Sequence, residues 1–298
     1  MQRGGEVLAT LSGASKRYGN VLALDNVDLE VRRGEVLSVL GPNGAGKTTA
    51  ISLLLGLQRP DTGVALTFGS PPQSLAARRR VGAMLQTAGV PETLTVGELI
   101  VLFRGYYPRP RTVADVVASA EIGELLSTRY GRLSGGQQRR VQFALATCGR
   151  PDILFLDEPT TGLDIGSRAT LWKTIRQLVA EDCAVVLTTH YLEEAEALAD
   201  CVSVLARGRS VATGSVAAIR GRVAQRRIRC VSRLDVAAVG AWPEVCSVAR
   251  DGERIEIVTD AAETVVRQLL FEDSALAELE IRRAGLAEAF VEITREAA

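Results

Sequence analysis

Net charge is what this sequence most plainly lacks: 35 basic side chains stand against 35 acidic ones, so no overall field draws the chain onto nucleic acid or anionic lipid. No nucleic-acid partner is expected. Long apolar runs are missing too. The longest, such as Ile153-Leu154-Phe155-Leu156, are strand-sized and fall far short of the ~20 residues a membrane-spanning helix requires. The opening Met1-Gln2-Arg3-Gly4-Gly5-Glu6 has no apolar core of a signal peptide. The expectation is a soluble chain that reaches a membrane only through a partner. Cysteines occur at 148, 183, 201, 230 and 246 without a Cys-x-x-Cys pair or a zinc spacing, which points to small buried hydrophobes in a reducing cytosol. Lysine is scarce, 3 residues against 32 arginines, and histidine occurs once, at 190, so each of these few side chains needs a place in the argument.

What is present is ample material for a core. The chain has 298 residues, 47% of them hydrophobic, a length that fits one large domain or a large and a small one. Its first 35 residues carry short apolar alternations broken by Gly13, Gly19-Asn20 and Gly34, the pattern of antiparallel hairpins. Apolar runs then follow at Val36 to Leu40, Ile153 to Leu156, Ala184 to Leu187 and Val202 to Leu205. They alternate with helix-period segments, as in a parallel sheet buried on both faces. Between Thr93 and Thr128 helical spacing dominates (Val96, Leu99, Ile100, Phe103), which places a helical subdomain at about 90–150. A basic stretch from Arg220 to Arg229 marks a boundary, giving domains over 1–220 and 221–298. The smaller one reads as strand 226–233, helix 235–242, a hairpin turning at Asp251-Gly252, a helix around 262–269 and a strand near 278–283. That order is βαββαβ, the ferredoxin-like split arrangement, followed by a helix with Leu286, Ala289, Phe290 and Ile293 on one face.

Three motifs carry chemistry. Gly41-Pro42-Asn43-Gly44-Ala45-Gly46-Lys47-Thr48 follows the apolar run Val36 to Leu40 and precedes a helical run, Thr49 to Leu57. Its glycines allow successive N–H groups to turn inward on an anion, Lys47 reaches the β and γ phosphates of ATP, and the Thr48 hydroxyl is offered to Mg²⁺. The strand Ile153 to Leu156 ends in Asp157-Glu158, two carboxylates with separate tasks: Asp157 for the magnesium shell and Glu158 for the attacking water. The third motif, Leu133-Ser134-Gly135-Gly136-Gln137, makes a second anion-receptive helix start, with the helix expected from Gln138.

With that third motif the chain resembles the ABC ATPases, whose signature sequence Leu133 to Gln137 matches, and the resemblance runs over at least residues 6 to 216. It implies an α/β fold of P-loop NTPase type with a parallel-sheet core, an antiparallel β subdomain and a helical subdomain. It also implies further roles. Tyr18 is similar to the aromatic that stacks on adenine, Thr49 continues the phosphate loop, and Gln86 is similar to the glutamine that senses magnesium. Asp164, in Gly162-Leu163-Asp164, is similar to the aspartate that crosses the dimer interface, and His190 to the switch histidine at the γ-phosphate. The catalytic set implied is Glu158, His190 and Lys47, with ATP bound along Tyr18, Gly41 to Thr49, Gln86, Ser134 to Gln137 and Asp164, and Mg²⁺ held by Thr48, Gln86 and Asp157.

In this family one subunit's phosphate loop is covered by its partner's signature helix, so a homodimer or a paired ATP-binding subunit is implied. Thr188 to Glu196 and Gly41 to Thr49 further resemble the drug-resistance type of ABC-2 exporter cassettes. Those work at the cytoplasmic face of the cell membrane through a separate integral permease, exporting drug-like, lipid or glycan substrates. Two departures stand out. The tail reads Leu286-Ala287-Glu288-Ala289-Phe290 rather than Leu-Glu-Asp-x-Phe, and Glu181-Asp182-Cys183 replaces a glycine turn. The ABC ATPases that act on ribosomes are the alternative, but they carry two cassettes where this chain has one phosphate loop. Those that act on chromosomes need a long coiled coil, for which the 85 positions from Thr48 to Leu133 leave no room.

Overall fold

The computed structural model describes residues 5–86, 89–222, 226–283 and 285–296. Part of the basic stretch, residues 223–225, lies outside them, as do the first four residues. Two compact units emerge, Met1–Val216 and Ala217–Arg295, divided four positions before the 220/221 boundary read from the sequence.

The first unit opens with β1 (Val7–Tyr18), β2 (Val21–Arg32), β3 (Val36–Leu40), α1 (Lys47–Leu54) and β4 (Thr62–Thr67). Next come α2 (Leu75–Arg78), β5 (Val81–Met84), α3 (Val96–Arg104), α4 (Val113–Ala120) and α5 (Gly135–Thr147). It closes with β6 (Ile153–Asp157), α6 (Ile165–Ala180), β7 (Ala184–Thr188), α7 (Leu192–Leu198), β8 (Cys201–Ala206) and β9 (Arg209–Gly214). The short helix α8 (Val216–Arg220) spans the division between the units.

Six strands form the central sheet in the order β5-β6-β7-β3-β8-β9, parallel except for the edge pair β8–β9. Every residue of β3, β6 and β7 is buried, which is why these strands appear in the sequence as continuous apolar runs rather than alternations. Successive side chains still point to opposite faces. Leu154, Leu156, Val185 and Leu187 join the core built by Leu99, Ile100, Val141 and Phe143 of the helical subdomain. Leu37, Val39, Phe155 and Val186 join a second core with Leu11 and Leu29 of the antiparallel sheet and Ile51 of α1. The sheet is thus the wall between two cores, and the ends of its strands are fixed from both sides.

The antiparallel sheet has the order β2-β1-β4. Its third strand escaped the sequence reading because β4 begins with three exposed residues and shows little alternation. Two helix starts also differ from expectation. α1 begins at Lys47, not Thr49, and stops at Leu54. α5 begins at Gly135, not Gln138, because Ser134 caps it: the Ser134 hydroxyl accepts from Gln137 N at 3.3 Å while Gln137 Oε1 accepts from Ser134 N at 2.9 Å. The helical subdomain repeats the device, with capping boxes Thr95/Glu98 on α3 and Thr112/Asp115 on α4. α5 lies close against β5, where a Cβ on Gly82 would stand 2.0 Å from Ala146 O.

The second unit comprises β10 (Arg226–Val231), α9 (Val236–Gly240), β11 (Val245–Asp251), β12 (Arg254–Thr259), α10 (Ala262–Glu272) and β13 (Ala277–Arg283), then α11 (Leu286–Glu296). All neighbours in its sheet, β11-β12-β10-β13, are antiparallel. Ile228, Cys230, Val239, Ile255, Ile257, Val265 and Leu269 form its core. Arginines of β10 meet acids of its neighbours: Arg227 pairs with Glu256 at 2.7 Å and Glu288 at 2.8 Å, and Arg229 with Glu256 at 3.0 Å.

Cys148, Cys183 and Cys230 are buried as expected, with burial pushing their thiols up to about 11, 12 and 11. Cys201 is only half-buried and Cys246, on the edge strand β11, is exposed, so the reading of all five as interior hydrophobes is corrected. Asp182 takes over the work of the missing glycine turn by adopting φ +65°. Of the run Arg78-Arg79-Arg80, Arg80 is fastened by an ion pair to Asp152 at 2.8 Å and lies 3.8 Å over the Phe68 ring.

Candidate functional site

The parallel strands end side by side. Val39 is level with Thr188, and Thr188 with Asp157, so the turn that leaves β3 lies against the carboxylates that close β6. Ligands of open parallel sheets bind at this carboxyl edge.

The turn itself is Gly41 to Gly46. A Cβ at Gly41 would stand 2.5 Å from Leu205 O, and one at Gly46 only 2.5 Å from Ala23 O, with φ +103° as a second demand for glycine there. Pro42, Asn43 and Gly44 form the exposed rim, Ala45 is buried beneath it, and Thr49 is half-buried on the first turn of α1. No side chain caps α1, which leaves its first N–H groups for an anion.

Lys47 is only 8% exposed, and its ammonium donates to Gly41 O at 2.7 Å and Pro42 O at 3.1 Å. Burial lowers its pKa, opposed by the charges of Glu158 and Asp157 nearby. Thr48 Oγ1 donates to Asp157 Oδ2 at 3.4 Å, and the Thr188 hydroxyl donates to Asp157 Oδ1. Glu158 is held in the left-handed region at φ +51°, a strain of roughly 1–3 kcal/mol that the neighbouring strand stabilises through Glu158 N donating to Thr188 O at 3.0 Å. The turn brings Glu158 Oε1 to 3.2 Å from His190 Nδ1, and the Tyr191 ring stacks on the imidazole with centroids 4.0 Å apart.

Lys47, Thr48, Asp157, Glu158 and His190 therefore converge, as the sequence anticipates. Tyr18 ends β1 half-exposed, with Lys16 Nζ 5.8 Å from its ring centroid; it belongs to the same hairpin that presses Ala23 and Leu24 against Gly46. Gln86 is exposed, two residues beyond Met84, as Glu158 is two beyond its partner Leu156. Among the described residues no hydrogen bond joins Gln86 to Thr48 or Asp157.

Ser134 and Gln137 close on each other, Gly135 is open to any approach, and a Cβ on Gly136 would stand 3.3 Å from Gly162 O. Asp164 caps α6, accepting from Ser167 N at 2.8 Å and Ser167 Oγ at 2.9 Å, and the backbone bond and then the hydroxyl hold its carboxyl below the usual range. Thr188, for which the sequence suggests no role, touches both Asp157 and Glu158; its place as the polar last residue of an otherwise apolar buried strand is the available signal.

An anion nest, a buried ammonium, a hydroxyl paired with a carboxylate and a carboxylate turned toward an imidazole make a site for binding and cleaving a polyphosphate. Comparison with known proteins agrees. The ABC transporter family model matches residues 24–161. The chain is 38% identical to the daunorubicin resistance ATP-binding protein DrrA3 of Streptomyces coeruleorubidus over 96% of its own length and 95% of that protein's. It is 40% identical to the Nod factor export ATP-binding protein I of Burkholderia orbicola over 67% of its length and 68% of the relative's. Among solved structures, the ATP-binding subunit of an ABC transporter superposes with a TM-score of 0.67 at 27% identity, over 72% of this chain and 92% of that one. The dimeric bacterial cassette MJ0796 superposes with a TM-score of 0.64 at 25% identity, over 70% and 98%, and has also been solved after hydrolysis with ADP and Pi. The chain belongs to the ABC transporter family, as one of its ATP-binding, ATP-hydrolysing subunits.

Proposed function

We propose that two copies of this chain, or one copy and a paired subunit, close on ATP and drive export of a drug-like, lipid or glycan substrate through a separate integral membrane permease. The subunit works at the cytoplasmic face of the membrane. Among the described residues no helix is long and apolar enough to cross a bilayer, so passage of the substrate is assigned to the permease. The relatives named for daunorubicin resistance and Nod factor export support the exporter reading, and the dimeric MJ0796 supports the pairing.

The observation that carries the hydrolytic roles is the approach of Glu158 to His190 at 3.2 Å beside the loop that holds Lys47. Glu158 accepts the proton of the attacking water, His190 orients that water and the γ-phosphate, and Lys47 leaves its loop carbonyls for the β and γ oxygens. Gly41 to Thr49 cradle the phosphates and Tyr18 stacks on the base. Ser134 to Gln137 and Asp164 face the partner's nucleotide. The Thr48 hydroxyl beside the Asp157 carboxylate fits Mg²⁺, which takes one or two protein oxygens and completes its shell with phosphate and water; Gln86, just beyond the neighbouring strand β5, is the further candidate for that shell. When bound, Mg²⁺ neutralises charge that builds on the phosphates. The element order βαββαβ and the sheet order β11-β12-β10-β13 support a ferredoxin-like reading of the C-terminal domain, which supports the dimer or regulates it.

The test is to purify the chain from solubilised membranes under native expression and identify what stays bound. A polytopic permease is the expected companion; ribosomes, or no membrane protein at all, would overturn the export reading.

A further inference from the structure

Glu194 is a carboxylic acid where an apolar side chain would be easier to bury. It sits in the first turn of α7 and is 1% exposed. A buried carboxylate is tolerated only where its surroundings hold it. One hydrogen bond does so. From α6, Trp172 Nε1 donates to Glu194 Oε1 at 3.2 Å. Burial pushes the Glu194 pKa up, while Thr189, Trp172 and Thr160 and the charge of Arg168 work in the opposite direction. Thr160 is itself 1% exposed, and its Oγ1 and Glu194 Oε2 have no hydrogen-bond partner among the described residues.

These neighbours are the flanks of the hydrolytic pair. Thr189 precedes His190, and its hydroxyl accepts from Tyr191 N at 2.9 Å, which fixes the backbone on either side of the imidazole. Tyr191 stacks on His190 and in turn lies under Arg168, whose guanidinium is 5.2 Å from its ring centroid. Thr160 is two residues from Glu158. Trp172 and Arg168 ride on the helix that Asp164 caps.

We propose that Glu194 is a positioning residue for hydrolysis: by accepting the Trp172 N–H from α6 it locks the start of α7, and with it the segment carrying His190, in place beside Glu158. Its role is to fix the placement of His190, not to take part in the reaction itself. The inference rests on the assignment of His190 and Glu158 to hydrolysis made above. Misplacement of a reacting group by about 1 Å from a remote change lowers rate by up to ~10²-fold, so loss of the lock lowers kcat without weakening ATP binding.

The single histidine makes the lock visible, because a histidine-selective ¹⁵N label on the full chain reports one imidazole, His190. Glu194→Gln keeps the size of the side chain, and Trp172→Phe removes only the donated N–H and part of the ring, so both test the lock if Glu194→Ala fails to fold. The expected result for both is a kcat lower by about 10- to 100-fold, KM for ATP within about 2-fold of the parent, and moved or broadened His190 signals. Unchanged kcat, or a lowered kcat with His190 signals identical to the parent's, would overturn the proposal. Full turnover in His190→Ala would instead sink the underlying assignment, and that result is read independently of any Glu194 variant.

Discussion

His190 Nδ1 and Glu158 Oε1 stand 3.2 Å apart across the ends of two adjacent strands, with Glu158 in the left-handed region at φ +51°. Thr188, one strand over, holds the Glu158 amide through its carbonyl and its hydroxyl. Asp157, one residue earlier, is tied by two hydroxyls, from Thr48 and Thr188, and stays beside the phosphate loop. One strand end thus supplies two carboxylates with different neighbours.

Glu158→Gln separates hydrolysis from binding. The amide keeps the shape and cannot accept a proton, so turnover falls by ~10²- to 10⁴-fold while ATP affinity is retained. ATP then accumulates in the closed pair, and size-exclusion chromatography with ATP shows a stable dimer. A monomer that still releases phosphate would show that Glu158 is not the base.

Lys47→Ala acts on binding. Its ammonium lies against the phosphate loop, bonded to Gly41 O and Pro42 O, and alanine offers no charged donor there, so ATP binding weakens by about 1.5–3 kcal/mol, the scale of hydrogen bonds to a charged group, or roughly 10- to 150-fold. Calorimetric titration with ATP under conditions that block hydrolysis reads the loss; unchanged affinity would remove Lys47 from the site.

Removal of residues 221–298 leaves the nucleotide site intact, because both cores that flank the central sheet are built from the first unit alone. The truncated chain is expected to bind ATP with the affinity of the whole. Loss of all nucleotide binding would contradict the division of the chain into two domains.

Much of this was legible in the sequence where one physical demand dominates. Strands buried on both faces announce themselves as apolar runs, and β3, β6 and β7 fall where Val36 to Leu40, Ile153 to Leu156 and Ala184 to Leu187 put them. Glycines with no room for a Cβ, as at Gly41 and Gly46, make the phosphate loop readable. The start of α5 was misplaced because Ser134 caps a helix whose first residues are two glycines, poor helix formers in any sequence scale. β4 was invisible because it is an exposed strand that depends on pairing with β1 rather than on its own pattern. The roles of Thr188 and Glu194 depend on which loops the fold brings together, and a single sequence records neither neighbour.

Glu194→Gln carries a prediction about stability that runs against its effect on rate. Burial raises the Glu194 pKa above its ordinary 4.5, and the hydroxyls, Trp172 and Arg168 only partly oppose it. The folded chain therefore holds that proton more tightly than the unfolded chain does. Above the raised value the folded state bears an ionised buried acid, a penalty present in full at neutral pH; as pH falls through the raised value toward 4.5, protonation relieves it. Glutamine does not titrate and bears no such penalty. At neutral pH Glu194→Gln should unfold at a higher temperature than the parent while hydrolysing ATP more slowly, and the difference in Tm should shrink as the pH is lowered through that window. Thermal unfolding of both proteins across pH 4 to 8 reads this directly. A difference in Tm that does not change with pH would mean that the Glu194 carboxyl carries no charge worth relieving, and a variant both less stable and slower would reduce Glu194 to an ordinary packing residue.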